Sequence, residues 1–451
     1  MCKLTLAQAA ALCGGAVTGA GETQFIGACM DSRQIQPGEL FVALRDKRDG
    51  AEYAPAAMER GAAAVLADRV LEGFPCLTVE NPLTALGQIA AGWRTQWGGK
   101  VAAVTGSVGK TTTKEMIAAV LSRVFQTTKT KANYNNQIGV PLTLLSIPPE
   151  GEAAVVEMGM NHFGEISYLT SLAKPDVAVI TNIGTMHIEH LGSREGILKA
   201  KLEILEGLTP EGTAIFNGDE PLLRNAAPER KPLFFGIDNP CDLRATEIVS
   251  GNGAVRFRAV GLGADFRVTV PAEGKHHVYD ALAAIAVGLT LGISPTLIAA
   301  ALEDFSNTGD RQRIFEEQGY TIIADCYNAG PESMGAALEV LGGKPTKGRR
   351  IAVLGDMLEL GIVAQAAHYR LGEQTAAQAD MVFAYGPNCM RVVAGAISAG
   401  MPEEDARGYT SQTALAADLK RNARPGDVLL FKGSHGMHME QVLEQFLADS
   451  H

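Results

Sequence analysis

The segment 101-VAAVTGSVGKTTTKEMIAAVL-121 combines an apolar strand pattern, a glycine-rich loop and an amphipathic helix, in that order. Glycines let backbone amides approach phosphate oxygens, and the N-terminus of the following helix adds partial positive charge. We therefore predict a nucleotide phosphate loop in which Lys110 reaches the β- and γ-phosphates and the Thr111 hydroxyl binds Mg2+. An ordinary glycine-rich turn is the alternative, and the flanking elements argue against it. The loop residues predicted to contact the nucleotide are Thr105, Gly106, Ser107, Val108, Gly109, Lys110, Thr111 and Thr112.

Apolar runs that follow this loop alternate with helical patterns. The strand candidates are AAVVE (153–157), DVAVIT (176–181) and TAIF (213–216). This alternation is typical of a parallel sheet covered by helices on both faces, with ligands at the carboxyl ends of its strands. A helix is predicted from 276 to about 292, after a polar, more variable region at 237–275.

The whole chain predicts an α/β fold of three domains, because 451 residues with 46% hydrophobic content can bury several cores. Residues 1–83 form a small N-terminal α/β domain, and residues 84–312 form the central phosphate-loop domain with its parallel sheet. Residues 313–451 form a C-terminal Rossmann-like α/β domain. Its strand candidates are YTIIAD (320–325), RIAVLGD (350–356), MVFAYG (381–386) and DVLLFKGS (427–434).

The composition excludes several classes of function. A formal charge of -11 gives no overall positive field to gather nucleic acid or an anionic membrane. The longest apolar stretch, 281–293, is shorter than the ~20 residues that cross a bilayer, and the N-terminus predicts a helix rather than a signal peptide. Seven scattered cysteines without C-x-x-C spacing argue against disulfides and a zinc site. We expect a cytoplasmic protein without nucleic-acid or membrane partners.

Two side chains at strand ends are candidates for a metal site beside the loop. Glu157 ends the strand AAVVE, and His187 follows DVAVIT across a short turn. Mg2+ requires hard oxygen ligands beyond the loop threonine, so Glu157 is favoured as a ligand over a helix-capping role. His187 is as consistent with a structural role as with a ligand.

A predicted helix from Ser193 to Leu208 carries two lysines in different surroundings. Lys199 has glutamates four residues away on either side, which is typical of a solvated face. Lys201 has apolar neighbours at helical spacing, so its pKa should be lowered and its neutral amine could react with CO2 to form a carbamate. The alternative is a lysine that extends to solvent at the helix edge.

Several motifs taken together resemble the Mur ligase family. They are DSRQIQPGELFVAL (31–44), TGSVGKTTT (105–113), NNQIGVPLTLL (135–145), EMG (157–159), TNIGTMHIEHLG (181–192) and AKLEI (200–204). The resemblance implies that the N-terminal domain binds UDP, with Ser32 and Arg33 at the substrate, and that the central domain is an ATPase. It also implies two Mg2+ ions, with Thr111, Glu157, His187 and carbamylated Lys201 as their ligands.

Motifs of the third domain resemble the Mur ligases that add D-alanyl-D-alanine. They are DCYNAGPESM (325–334), LGDMLELG (354–361) and KGSHGMHME (432–440). The resemblance implies that Arg311 and Asp325 contact ATP. It also implies that His277 and Asp280 lie at the adenine or ribose of ATP. Contacts to the dipeptide are implied for Asn328, Lys432 and Ser434. Departures from the family pattern are Ala51, His277, Asp280, Ala324, Gly330 and His435.

The reaction that this resemblance implies is ATP-dependent formation of an amide. UDP-N-acetylmuramoyl-tripeptide would be activated as an acyl phosphate and then attacked by the amine of D-alanyl-D-alanine. The expected catalytic groups are Lys110, Glu157, His187 and Lys201, in a monomeric protein. Three alternatives stay open: a folylpolyglutamate-type ligase, a phosphotransferase acting on a hydroxyl, and a nucleotide-binding relative without catalysis.

Overall fold

The computed structural model describes residues 1–226, 228–251, 253–306 and 312–448. Its strands form three larger sheets, of five, nine and six strands, and one separate antiparallel pair. Each of the predicted domain ranges contains one of the larger sheets. The α/β class predicted from the sequence is confirmed by this arrangement and by the structural comparisons given below.

The N-terminal region has a five-stranded sheet in the order β2-β7-β6-β5-β4, in which only the β2–β7 pair is antiparallel. The separate antiparallel pair is β1 with β3. Its elements are β1 (Lys3–Thr5), α1 (Leu6–Cys13), β2 (Ala16–Thr18), β3 (Gln24–Ile26), β4 (Ala28–Cys29), β5 (Leu40–Val42), α2 (Ala54–Glu59), β6 (Ala64–Ala67) and β7 (Cys76–Thr78).

The long helix α3 (Pro82–Trp97) connects this region to the central sheet. Asn81 caps its N-terminus, since the Asn81 side chain accepts from the backbone N–H groups of Leu83 and Thr84, and Pro82 occupies the first turn. Gly98 ends the helix in the left-handed conformation, at φ 70°. The segment that follows Asn81 is therefore a helix with a cap at each end.

The central sheet has nine strands in the order β16-β15-β14-β13-β12-β11-β8-β10-β9. The seven strands from β9 to β14 in this order are parallel, and β15 and β16 are added antiparallel. The strands are β8 (Lys100–Thr105), β9 (Thr127–Lys129), β10 (Ala153–Glu157), β11 (Val177–Ile180), β12 (Thr213–Asn217), β13 (Leu233–Gly236), β14 (Leu243–Gly251), β15 (Ala254–Gly261) and β16 (Ala264–Val270). The helices are α4 (Lys110–Leu121), α5 (Gly139–Leu145), α6 (Glu165–Ala173), α7 (Ile188–Leu191), α8 (Arg194–Leu202), α9 (Pro221–Asn225), α10 (Lys275–Thr290) and α11 (Pro295–Glu303).

The C-terminal sheet has six strands in the order β17-β18-β22-β19-β20-β21, parallel except for β17. The strands are β17 (Arg313–Glu317), β18 (Tyr320–Asp325), β19 (Arg350–Gly355), β20 (Met381–Tyr385), β21 (Ala406–Tyr409) and β22 (Val428–Lys432). The helices are α12 (Pro331–Gly342), α13 (Ala364–Gln378), α14 (Cys389–Ser398), α15 (Gln412–Asn422) and α16 (Met439–Leu447).

Two features differ from the sequence prediction. Residues 237–275, expected to be a polar variable region, contain β14, β15 and β16. In β15 the buried Phe257 and Ala259 alternate with the more exposed Arg256 and Arg258, and this half-polar pattern hid the strand. Val124 continues the apolar spacing of Val120 and Leu121 in the sequence, which predicts a place on the apolar face of α4, but it lies beyond the end of that helix and is 49% exposed.

One continuous apolar cluster joins the N-terminal region to one face of the central sheet. It includes Leu4 and Leu66 from the N-terminal region, Trp93 from α3, and Ala103 and Ile180 from the central strands. Helices α4 and α10 bury the opposite face in a second cluster. Among the described residues, no helix is both long enough and apolar enough to cross a membrane.

The buried side chain of Arg94 ties α3 to the central sheet. Its Nε donates to the Ala173 carbonyl at 2.7 Å, and its Nη2 donates to the Lys174 carbonyl at 2.9 Å. The same Nη2 lies 3.4 Å from Asp176 Oδ2, with the Arg94 side chain only 7% exposed. Burial lowers the pKa of Arg94, and Asp176 opposes that effect.

We predict that Arg94→Ala lowers the free energy of unfolding by about 3 kcal/mol, because it leaves buried carbonyl groups and a partly buried carboxylate without a partner. The measurement is urea unfolding followed by the fluorescence of Trp93 and Trp97, both on α3. Lys100→Ala is the matched control, since Lys100 Nζ contacts the same carboxylate at 3.4 Å but is 56% exposed. Its effect should be about 0.5 kcal/mol, and equal effects would contradict the assignment.

Candidate active site

The phosphate loop lies between the carboxyl end of β8 and the N-terminus of α4, as predicted. Gly109 caps α4 with φ 85°, and a Cβ atom there would lie 2.7 Å from Asp280 Oδ1. Gly106 has φ 153°, and a Cβ atom there would lie 1.8 Å from Thr181 Oγ1. Both positions therefore require glycine, the first for backbone conformation and both for space.

Two residues that follow β11 fix the shape of the loop. Asn182 Oδ1 accepts from the backbone N–H groups of Ser107 at 3.1 Å and Val108 at 2.9 Å. Thr181 Oγ1 donates to the Val108 carbonyl at 2.6 Å. Sequence reasoning gave these two residues no role, although the TNIGT motif that contains them begins at the last residue of a predicted strand and was the available signal.

The Thr111 hydroxyl and the Glu157 carboxylate meet directly. Thr111 Oγ1 donates to Glu157 Oε2 at 2.7 Å, and Asn135 Nδ2 donates to Glu157 Oε1 at 2.8 Å. Glu157 is 1% exposed, and its backbone N–H donates to Thr130 Oγ1 at 3.0 Å. The arrangement places two hard oxygen donors side by side at the start of α4. Asn135 lies in a motif quoted above but had no assigned role.

Lys114, one helical turn after Lys110, supports the Glu157 carboxylate and was missed by sequence reasoning. Its side chain is completely buried, and its Nζ lies 3.8 Å from Glu157 Oε2 and 3.0 Å from Glu115 Oε1. Nζ also donates to the Thr130 carbonyl at 2.8 Å. A buried ammonium held by carboxylates and carbonyl groups thus places positive charge beside the Glu157 carboxylate.

Lys201 lies on the buried side of α8, as its spacing predicted. Ser193 caps the helix by accepting from the Gly196 N–H, and Ile197, Ala200 and Lys201 are buried. Burial lowers the pKa of the Lys201 ammonium well below its ordinary value, and the positive charge of Lys110 lowers it further. A lowered pKa favours the neutral amine of Lys201, and the neutral amine is the form that reacts with CO2.

His187 directly precedes α7, at its N-cap position, and has the left-handed conformation with φ 63°. Its Nδ1 lies 2.7 Å from Glu359 Oε2, although the ring N–H is not aligned for a hydrogen bond. Burial lowers the pKa of His187, the Glu359 carboxylate opposes that shift, and the charges of Lys110 and Lys201 add to it. The predicted residues Lys110, His187 and Lys201 are thus close enough to influence one another.

The C-terminal domain completes a cavity of about 570 Å³ above the loop. Lys432 Nζ donates to Asp325 Oδ2 at 2.6 Å and to the Asn328 carbonyl at 2.9 Å, so these three residues form one polar wall. On the central domain, Thr113 Oγ1 donates to Asp280 Oδ1 at 2.8 Å. His276 and His277 place their Nε2 atoms 2.7 and 3.2 Å from Gln312 Oε1.

The structure brings most of the predicted site residues to this cavity. Those that line it are Ser107, Val108, Gly109, Lys110, Thr111, Thr112, Glu157, His187, Lys201, His277, Asp280, Asp325, Asn328 and Lys432. Four others are not part of its lining: Thr105 is the last residue of β8, Gly106 is the first residue of the loop, and Ser32 and Arg33 lie in the N-terminal domain. Arg311 is outside the described residues.

Ser434, expected to contact the dipeptide, is also absent from the cavity lining. Its hydroxyl donates to the Ala329 carbonyl at 3.2 Å and accepts from the Leu358 N–H at 2.9 Å. Ser434 is 4% exposed, and its hydroxyl connects the loop of Ala329 to the loop of Leu358. In this structure Ser434 therefore fixes backbone segments beside the cavity.

The oxygen donors beside the loop suit Mg2+ better than they suit a metal ion whose ligands all come from protein side chains. Within the described parts of the chain, no three His, Cys, Asp or Glu side chains are grouped to hold a metal ion. Thr111 and Glu157 supply two oxygen donors in contact with each other. Mg2+ usually keeps several waters and binds through one or two protein oxygens together with substrate phosphates, so a sparse donor set of this kind suits it.

We predict that Lys201→Met raises the free energy of unfolding at neutral pH, in buffers free of CO2. At pH values between the lowered pKa of Lys201 in the folded protein and its ordinary value of 10.5, the unfolded chain binds more protons than the folded chain. The free energy of unfolding of the wild type therefore rises with pH in this range. The advantage of the variant should therefore shrink as the pH approaches 10.5. Urea midpoints at several pH values measure this. Lys199→Met, on the exposed face of α8, should show no such pH dependence.

Comparisons with known proteins agree with this geometry. Residues 104–288 match the Mur ligase middle domain, and residues 310–435 match the Mur ligase, glutamate ligase domain. The UDP-N-acetylmuramoyl-tripeptide--D-alanyl-D-alanine ligase of Bacillus subtilis is 40% identical, with 94% of each chain covered.

Solved structures give the same result. A crystal structure of MurF from Acinetobacter baumannii has a TM-score of 0.90 and 32% identity, with 99% of each chain covered. MurF ligase from Thermotoga maritima in complex with ADP has a TM-score of 0.81 and 30% identity, covering 94% of this chain and 97% of that one. The family resemblance expected from the sequence motifs is confirmed: the chain belongs to the Mur ligase family, among its UDP-N-acetylmuramoyl-tripeptide--D-alanyl-D-alanine ligases.

Proposed function

We propose that this protein uses ATP to join D-alanyl-D-alanine to UDP-N-acetylmuramoyl-tripeptide, which forms the pentapeptide precursor of peptidoglycan. The observation that carries the proposal is the single cavity whose walls are the phosphate loop of the central domain and Asp325, Asn328 and Lys432 of the C-terminal domain. An amide ligase needs this arrangement, because nucleotide, carboxylate and amine must meet in one place.

The reaction has two steps, both of which require protection from water. A carboxylate oxygen of the tripeptide attacks the γ-phosphorus of ATP and ADP leaves, which gives an acyl phosphate. The amine of the dipeptide then attacks the acyl carbon, phosphate leaves, and the amine loses a proton. Contact between the C-terminal and central domains excludes water that would hydrolyse the acyl phosphate.

Charge neutralisation is the main task of the central domain. Two anions meet in the first step, so the Lys110 ammonium, the amides of the loop and the N-terminus of α4 would lower the barrier by offsetting phosphate charge. Lys110 Nζ lies 2.7 Å from the Gly106 carbonyl and 3.2 Å from that of Ser107, so it is held over the loop.

The proposed ion sites use the predicted donors. Thr111 and Glu157 would hold one Mg2+, and His187 together with a carbamate on Lys201 would hold a second. Bound Mg2+ would draw electron density from phosphate and carboxylate oxygens. Asn135 donates a hydrogen bond to Glu157 and Lys114 places a positive charge beside it, so both hold the carboxylate in position, and burial of Lys201 favours the neutral amine that carbamate formation requires.

Recognition of the UDP end is proposed for the N-terminal domain. The Arg33 side chain is 83% exposed, and its Nη2 lies 2.8 Å from Asp31 Oδ2. Hydrogen bonds from Arg33 hold the pKa of Asp31 at about 2. Ser32 and the guanidinium group would face a ligand that extends from the cavity to this domain. We place the activity in the cytoplasm, in a monomeric enzyme.

The proposal predicts that phosphate release requires ATP, Mg2+, UDP-N-acetylmuramoyl-tripeptide and D-alanyl-D-alanine together. The measurement is phosphate release with each component omitted in turn, with the mass of the product determined in parallel. A pentapeptide product would establish the reaction. Release without the dipeptide would indicate another acceptor, and a stable phosphorylated acceptor would indicate a phosphotransferase.

Lys201→Ala should lose ligation, because it removes the proposed carbamate, and short carboxylic acids should restore part of the activity by supplying an anion to the same position. Lys199→Ala, two residues away on the exposed face of the helix, is the control and should keep its activity. Unaltered activity in Lys201→Ala would remove the carbamate from the mechanism.

A further inference from the structure

The segment 184–189, which follows β11, is a surface of the central domain that the C-terminal domain contacts at several places. Thr185 Oγ1 donates to Glu332 Oε1, from α12, at 3.2 Å. A Cβ atom added to Gly361 would lie 3.2 Å from the Glu189 Cβ atom, so the backbone of the 354–361 motif approaches the same segment closely. Between these two contacts, Glu359 reaches His187.

The loop that carries Glu359 is held in place by side chains of its own domain. The Met357 N–H donates to His368 Nε2 at 3.0 Å, and the Leu358 N–H donates to Ser434 Oγ at 2.9 Å. Since His368 Nε2 accepts, its Nδ1 carries the proton and donates to the Ala364 carbonyl at 2.7 Å. The two backbone N–H groups directly before Glu359 are therefore both held by hydrogen bonds to side chains of the C-terminal domain.

Both members of the contact have unfavourable backbone conformations. Glu359 has φ 59° and His187 has φ 63°, values that residues with a Cβ atom rarely adopt. Such conformations persist where the surrounding structure holds them, and they concentrate at functional sites. Here they bring a carboxylate of one domain to 2.7 Å from an imidazole of the other.

Glu359 places a carboxylate 2.7 Å from Nδ1 of the His187 ring, and the Lys110 ammonium is a nearby positive charge of the central domain. The negative charge beside Nδ1 favours the proton on that nitrogen, although the N–H is not aligned for a hydrogen bond in this structure, and the lone pair of Nε2 is then left for a ligand.

We infer that Glu359 is a positioning residue, which orients the His187 imidazole across the domain boundary. The catalytic site is then fully assembled only when the C-terminal domain contacts the central domain. The inference rests on the proposed function for the catalytic meaning of His187. The Glu359–His187 contact itself can be tested without catalysis.

The kinetic test compares Glu359→Ala with Glu332→Ala, since both glutamates belong to the same interface but only Glu359 contacts His187. Glu359→Ala should lower kcat roughly 10- to 100-fold, the range for loss of a residue that orients a metal-binding histidine. The KM values for both substrates should change less than about twofold, because substrate binding itself is not altered. Glu332→Ala should keep kcat, and Glu359→Gln, which retains an accepting oxygen, should restore part of it.

The second readout is the tautomer of His187 in metal-free protein, from nitrogen NMR of labelled histidine, with His187→Asn used to assign the signal. The wild type and Glu332→Ala should show the proton on Nδ1, and Glu359→Ala should shift it toward Nε2. An unchanged His187 signal in Glu359→Ala, or equal kinetic losses in the two alanine variants, would overturn the inference.

These readouts separate the two claims. The Glu359 side chain is 54% exposed, so its substitution should not unfold the protein, and thermal midpoints confirm this directly. If the wild type forms no pentapeptide, the proposed function fails while the NMR comparison still decides whether Glu359 orients His187.

Discussion

Parallel pairing of β8, β10 and β11 is the constraint on which the site depends. In this pairing Glu157 lies opposite Val104, and Ile180 lies opposite Thr105, so three strands end at the same edge of the sheet. The phosphate loop leaves one of these ends, Glu157 is the last residue of the second, and Thr181 and Asn182 follow the third. Because the strands are buried on both faces and fixed by backbone hydrogen bonds, the groups at their ends have little freedom to move apart.

Burying ions at this edge is costly, and the structure offsets that cost for Glu157 but not for Lys201. Glu157 is completely surrounded, but it accepts from Thr111 and Asn135 and has the Lys114 ammonium nearby. Lys201 lacks such compensation, because the nearest charge that affects it is that of Lys110, and its pKa falls as a result. The same physical effect that would destabilise a charged lysine thus produces a neutral amine, which is the chemically useful form.

The cavity belongs to two domains, and this division suits a reaction that must exclude water at one stage and admit substrates at another. The central domain supplies the phosphate loop and the candidate metal ligands, whereas Asp325, Asn328 and Lys432 come from the C-terminal domain. Lys344 and Glu273 add a salt bridge of 2.7 Å between the segment after α12 and the segment before α10, with both side chains largely buried. Contact between the domains therefore involves charged groups at several places, including His187 and Glu359.

Local pattern was sufficient for the phosphate loop, the strand ends and the buried side of α8, because glycine spacing, alternation of strands and helices, and helical periodicity are all short-range properties. The family could also be assigned from motifs, as the comparisons confirm. The antiparallel strands β14 to β16 escaped prediction because polar residues alternate along their exposed face. Asn182, Lys114 and Glu359 have meaning only through partners that are distant in sequence, and Ser434 turned out to join loops rather than line the cavity. Such contacts depend on how sheets and domains meet, which no local pattern of residues specifies.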